Sequence, residues 1–119
     1  MQKLTKGEED VMQFIWTLER CTVSDILEQM GEPRPPHSTV SSVVRILERK
    51  GYVDHKAYGK TYEYFPLIDK EEYGKRSLKD VLTNYFDGSV SRLVSHLVEN
   101  PKIKEEDLNE ILKKLDKQG

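Results

Sequence analysis

The sequence predicts a mainly α-helical protein of two lobes, on three observations. Apolar residues recur at three- and four-residue spacing in stretch after stretch along the chain, which is the signature of helices with one buried face. A single segment, from Tyr52 to Pro66, changes to a period of two around a glycine. The 119 residues are 36% hydrophobic and 34% charged, and no run approaches the ~18 apolar residues that cross a bilayer. Neither a repeat nor a low-complexity tract interrupts this pattern.

The first helix starts at "TKGE", where the Thr5 hydroxyl can accept an amide and Glu8 can reach back, and it sets Val11, Met12, Ile15 and Leu18 on one face. Thr22 caps a second helix of about two turns, with Val23, Ile26, Leu27 and Met30 as its apolar positions and Gly31 as its stop. The prolines of "PRPP" delay helix until Pro36. Val40, Val43, Val44 and Leu47 then define a third amphipathic helix, closed by Gly51, whose opposite side carries Ser38, Ser41, Ser42, Arg45 and Arg49. "YVDHK", a turn in "AYGK" and "TYEYFP" make a hairpin, with Tyr62 and Tyr64 expected to share its inner, core-facing side.

A second capping box, Asp69 with Glu72, opens a helix bearing Leu78, Val81, Leu82, Tyr85 and Phe86, and "DG" at Asp87 and Gly88 ends it. Ser89 caps the next, which carries Val90, Leu93, Val94, Leu97 and Val98 up to Asn100 and Pro101. A last helix presents Leu108, Ile111, Leu112 and Leu115. The expected domains are residues 1–67, helix-helix-helix-hairpin, and residues 68–119, three helices.

Two short helices, a tight turn, a third helix with a polar outer face and a hairpin make a winged helix-turn-helix, whose third helix enters the major groove of double-stranded DNA. The net charge of −2 is unevenly placed: between Arg34 and Lys60 stand Arg34, Arg45, Arg49, Lys50, Lys56 and Lys60 against only Glu48 and Asp54. Short hydroxyls let the helix backbone approach base edges and phosphates, where glutamates would repel them. Arg45 is the expected base reader, because a guanidinium makes paired bonds to guanine. Ser38, Thr39, Ser41 and Ser42 are candidates for base or phosphate. Arg34 and Arg49, with Lys56 and Lys60 on the wing, are candidates for phosphate, joined by Tyr58 at the wing tip.

Three helices in about fifty residues cannot hide so many large apolar side chains among themselves, so the second lobe is expected to be covered by a second copy of the chain. A two-fold dimer presents two recognition helices and gains affinity by linking two half-site contacts. The alternative reading, since a fold does not fix function, is a protein-interaction adaptor that holds a partner without specific DNA binding.

Four stretches carry a resemblance over nearly the whole chain: "LTKGEEDVMQFIW", "HSTVSSVVRILERKGYVDHK", "GKTYEYFP" and "YFDGSVSRLVSHLVEN". With these the chain resembles the penicillinase-repressor (BlaI/MecI/CopY-like) family of bacterial transcriptional regulators. The resemblance implies a dimeric repressor on a dyad operator, in its best-known members controlling β-lactam resistance. It further implies relief when a membrane sensor metalloprotease causes cleavage in the fifth helix, which would unstitch the dimer. Members cleaved in this way carry Asn-Phe where this chain has His96-Leu97, the corresponding candidate cleavage region. The family's copper-responsive branch uses a cysteine cluster near the C-terminus, whereas the one cysteine here is Cys21.

Other chemistries lack their motifs. His37, His55 and His96 are scattered, without metal-ligand spacing, a nucleophile elbow or a glycine-rich phosphate loop, so neither metal, cofactor nor catalysis is expected. Cys21 reads as an inert packing residue and Trp16 as part of the core. The single cysteine cannot form an internal disulfide, and "QKLTKGEED" after Met1 has no apolar signal-peptide core, so a reducing cytoplasm is the expected location.

Overall fold

The computed structural model describes residues 2–99 together with residues 106, 109, 110 and 113. The chain forms two compact units, Met1–Lys70 and Glu71–Gly119. The first holds helices α1 (Lys6–Leu18), α2 (Val23–Met30) and α3 (His37–Arg49), then strands β1 (Val53–Tyr58) and β2 (Thr61–Pro66). The second holds α4 (Lys70–Tyr85, whose first residue closes the first unit) and α5 (Val90–Val98). The expected last helix, with Leu108, Ile111, Leu112 and Leu115, lies outside the described residues.

Local chemistry sets the helix starts. The Thr5 hydroxyl accepts the Glu8 amide at 3.2 Å while the Glu8 carboxylate accepts the Thr5 amide at 3.1 Å, so two otherwise orphaned donors are satisfied at the head of α1. Thr22 and Asp25 repeat the reciprocal arrangement at α2. Ser89 caps α5 by accepting the Arg92 amide. Helix α3 differs: Pro36 occupies its cap position with no side-chain bond, and its first turn contains no acid.

The core of the first unit follows the expected stripes. Val11, Met12 and Ile15 of α1, Val23, Ile26 and Leu27 of α2, and Val40, Val44 and Leu47 of α3 are buried together with Cys21, Tyr52, Val53, Tyr64 and Ile68. Burying each of the larger side chains contributes about 1.5–3 kcal/mol. Leu18, Met30 and Val43, read as members of these stripes, are half-buried at their margins. Trp16 is fixed by a bond from its indole N–H to the Ile68 carbonyl at 2.8 Å, which gives the amphipathic ring a structural task.

β1 and β2 pair antiparallel from Val53 opposite Pro66 to Tyr58 opposite Thr61. Gly59, at φ +64°, supplies the left-handed residue that a two-residue hairpin loop requires. Cys21 adds a bridge to the outer side of β2, its amide donating to the Tyr64 carbonyl and its carbonyl accepting the Tyr64 amide. The two tyrosines expected on the inner face part company. Tyr64 is 5% exposed and Tyr62 is 48% exposed, because the hairpin continues past the helices that cover its base.

In the second unit Leu82 and Leu93 are buried, and Leu78, Phe86, Val94 and Leu97 are half-buried. Val81, Tyr85, Val90 and Val98 are exposed. Gly88, at φ +73°, lets its amide reach back to the Leu82 carbonyl at 2.7 Å and so closes α4 at the expected Asp87-Gly88 pair. Among the described residues no helix is long and apolar enough to cross a membrane.

Candidate nucleic-acid interface

Helix α3 buries Val40, Val44 and Leu47, and the remaining side of the same thirteen residues faces water. Ser38, Thr39, Ser42, Arg45 and Arg49 are exposed there, and Ser41 is half-buried at the edge. The absence of a side-chain cap and of any first-turn acid leaves the partial positive charge of the helix start uncompensated on this side. One acid stands on the whole helix, Glu48, in its last turn.

The cations differ in how free they are. Arg45 lies along the helix, its Nε donating to the Ser41 carbonyl at 3.4 Å, a long bond that a base edge can replace. Arg34, in the loop before α3, is paired with Glu32 at 3.2 Å, so its charge is partly spent locally. Lys56 is exposed on β1 but stands in register with Glu63 on β2. Tyr58, Gly59 and Lys60 form the exposed wing tip. Lys50, counted with the basic segment in the sequence, turns inward. Its ammonium donates to Glu8 at 2.6 Å and to the Lys3 carbonyl at 3.0 Å, and its side chain is only 18% exposed.

That Lys50–Glu8 pair is a feature sequence reasoning missed. It spans 42 residues and ties the C-terminal end of α3 to the first turn of α1. The Lys50 ammonium first, and then the Thr5 amide, hold the Glu8 carboxyl below its ordinary range. Tyr52 adds a second tie, its hydroxyl donating to the Gln2 carbonyl. No local signal marks either contact, because Glu8 already reads as a capping residue and Lys50 as one more surface lysine.

A second missed group joins α3 to the wing. His55 Nδ1 lies 2.5 Å from Glu48 Oε2, its ring stacks on Tyr62 at 4.2 Å, and Asp54 accepts the His55 backbone amide at 2.8 Å. Glu48, Asp54 and His55 thereby bring potential ligand atoms within 4.8 Å of one another, but Glu48 is engaged by the imidazole and one Asp54 oxygen by the backbone. Burial, and then the Glu48 carboxylate, push the adjacent Tyr64 hydroxyl above its ordinary range. Burial likewise pushes the Cys21 thiol up to about 11, with Asp25 and Glu63 adding to it, so little reactive thiolate forms near neutrality.

In the second unit, the residues expected at a dimer interface divide into a buried pair, Leu82 and Leu93, a half-buried set, Leu78, Phe86, Val94 and Leu97, and an exposed set, Val81, Tyr85, Val90 and Val98, while Leu108, Ile111, Leu112 and Leu115 lie outside the described residues. His96 and Leu97 both lie within α5, His96 exposed and Leu97 half-buried. An open depression lined by Phe86, Ser91, Arg92, Ser95, His96 and Glu99 carries both signs of charge and favours no one ligand class.

Comparison with known proteins gives a consistent picture. The penicillinase repressor family model matches residues 4–117. The methicillin resistance regulatory protein MecI of Staphylococcus aureus (strain N315) is 24% identical over 117 residues, covering 97% of this chain and 94% of that protein. The penicillinase repressor of Bacillus licheniformis is 22% identical over 110 residues, covering 92% and 86%. Among solved structures, the DNA-binding domain of the repressor BlaI aligns with a TM-score of 0.52 at 23% identity, over 61% of this chain and 94% of that domain. The fold is therefore a mainly helical one with a winged helix-turn-helix, as the sequence predicts.

Proposed function

We propose, from the premise that this chain belongs to the penicillinase repressor family, that it is a homodimeric transcriptional repressor that reads a dyad operator with the outer face of α3. The coarser part of that statement, a DNA-binding regulator of penicillinase-repressor type and not an enzyme, follows from the family itself. The observation that carries the finer part is the exposed, nearly acid-free face formed by Ser38, Thr39, Ser42, Arg45 and Arg49 on a helix whose other side is locked into the core.

In this reading α3 lies in the major groove. Arg45 releases its weak bond to Ser41 and makes paired bonds to a guanine, worth about 1–3 kcal/mol of discrimination. The hydroxyls of Ser38, Thr39, Ser41 and Ser42 fill the close approach. Arg49 at the helix end, Lys60 and Tyr58 at the wing tip, and more weakly Lys56 and the Glu32-paired Arg34, neutralise or contact phosphates and set the register. The exposed Val81, Tyr85, Val90 and Val98 pack against a second copy, which doubles the contacts and raises affinity by linkage on the order of 10²–10⁴-fold. Binding takes place in the cytoplasm, where operators are.

The relatives' names point to β-lactam resistance genes as the regulated class. Relief through a membrane sensor metalloprotease would have to open α5 before cutting, because His96 and Leu97 lie inside the helix. The test of the main proposal is a fluorescence-anisotropy titration of the chain's own upstream DNA against a scrambled duplex at several salt concentrations. A preference of at least about 10³-fold for the upstream fragment is expected. Salt-insensitive or absent binding would favour the adaptor reading instead.

A further inference from the structure

We infer that His55 is a positioning residue for DNA recognition, clamping the wing to the reading helix through Glu48; this rests on the DNA-binding reading above and specifies how that site is held. The contact joins the last turn of α3 to the middle of β1, with Nδ1 and Oε2 2.5 Å apart and each side chain 28% exposed. The imidazole is also held from β2, stacked on Tyr62 at 4.2 Å and 18° and approached by Tyr64 at 5.7 Å. Three elements thus meet on one ring.

Its place along the strand gives the ring its importance. Every residue from Lys56 to Tyr62 is exposed, so His55 is where the hairpin loses its support from the core. The tip beyond it carries Lys56, Tyr58 and Lys60, and the angle at which these reach phosphate is set at the last anchored residue.

Glu48 also makes sense only in this light. It is the sole acid on α3 and sits three residues, less than one turn, after Arg45, where an unengaged carboxylate would repel DNA and attract the arginine. Occupied by His55, it is a tether. The two possibilities differ in sign: removing an idle acid beside a polyanion tightens binding, and removing a tether weakens it.

The test uses the full chain and five variants, with two readouts. In the free protein, 15N relaxation of residues 56–62 reports the clamp without DNA. His55→Ala and Glu48→Ala are expected to lower the order parameters of the tip while leaving α1–α3 unchanged. In operator titrations both are expected to bind about tenfold more weakly, the size of one lost hydrogen bond to a charged group, and the double variant no more weakly than either single one. His55→Asn, whose Nδ2 can donate from the same position, and Glu48→Gln, which keeps an acceptor, are expected to stay within about threefold of the parent. Tighter or unchanged binding by Glu48→Ala, additive losses in the double variant, or an unaltered tip would overturn the inference. Absence of DNA binding by the parent would defeat the repressor reading and with it the recognition role of His55, while the relaxation experiment would still decide whether the clamp itself exists.

Discussion

Replacing Lys50 with methionine tests how α3 is seated. The ammonium makes two bonds, to Glu8 Oε1 at 2.6 Å and to the Lys3 carbonyl at 3.0 Å, in a site where the two charged side chains are 18% and 10% exposed. A hydrogen bond to a charged group contributes about 1.5–3 kcal/mol, and full burial of an unpaired charge would cost more. Glu8 keeps the Thr5 amide as a partner and some contact with water, and methionine preserves most of the apolar stem. The net loss from Lys50→Met is therefore about 2 kcal/mol. In a unit of this size that lowers the melting temperature by roughly 8–16 °C. The pH dependence has a definite sign. Because the folded protein holds the Glu8 carboxyl below its ordinary value of 4.5, the pair's contribution is fully present above that value and is lost as pH falls through the folded one. Thermal melts of parent and variant at pH 7 should differ by the full amount and should converge under strong acid. A difference below about 0.5 kcal/mol at pH 7, as for an ordinary surface pair, or one that persists unchanged in acid, would refute the seating argument.

Further expectations follow from the exposed faces. Arg45→Ala should weaken cognate operator binding by about 1–3 kcal/mol and random-DNA binding far less, and equal losses on both would exclude base reading. Lys60→Ala should weaken every duplex and flatten the log–log salt slope by about 0.9 for each protomer engaged, measured by anisotropy from low to moderate salt. A charge at Leu93 would damage the second unit itself, because that residue is buried within the single chain. Tyr85→Asp, at a position 78% exposed, isolates the partner contact, and light scattering should show a weakened dimer with an intact fold. Cys21 should resist a thiol reagent at pH 8 in the native protein and react rapidly in denaturant, since burial opposes its ionisation.

What the sequence disclosed and what it withheld divide along chemical lines. Helix starts were legible because a cap is a local event: Thr5 with Glu8, Thr22 and Ser89 act within three residues of themselves. The helical stripes and the hairpin with its Gly59 turn were legible for the same reason, as periodicity is a property of neighbours. Pairings between distant residues left no trace. Lys50 was one more cation in a basic stretch until the fold placed Glu8 beneath it, and nothing in "YVDHK" says that the histidine finds a glutamate on the preceding helix. Tyr62 misled because alternation tells which side of a strand a residue takes, and not whether anything covers that side so far from the base of the hairpin. Arg34 is a different case, because the glutamate that occupies it, Glu32, stands only two residues away and the pairing is local.

The central claim, that the hydroxyl-lined side of α3 lies in the major groove of paired half-sites, is tested most directly by cleavage from a tethered iron chelate. A Ser42→Cys variant made in a Cys21→Ala background carries the chelate on the exposed face of α3. Bound to the upstream fragment, it is expected to cut in two clusters on major-groove faces, about one helical turn or a multiple of it apart. A chelate at Lys79→Cys, on the exposed side of α4, is expected to cut little. Strong cutting from position 79 with none from position 42, on DNA that the protein demonstrably binds, would contradict the account.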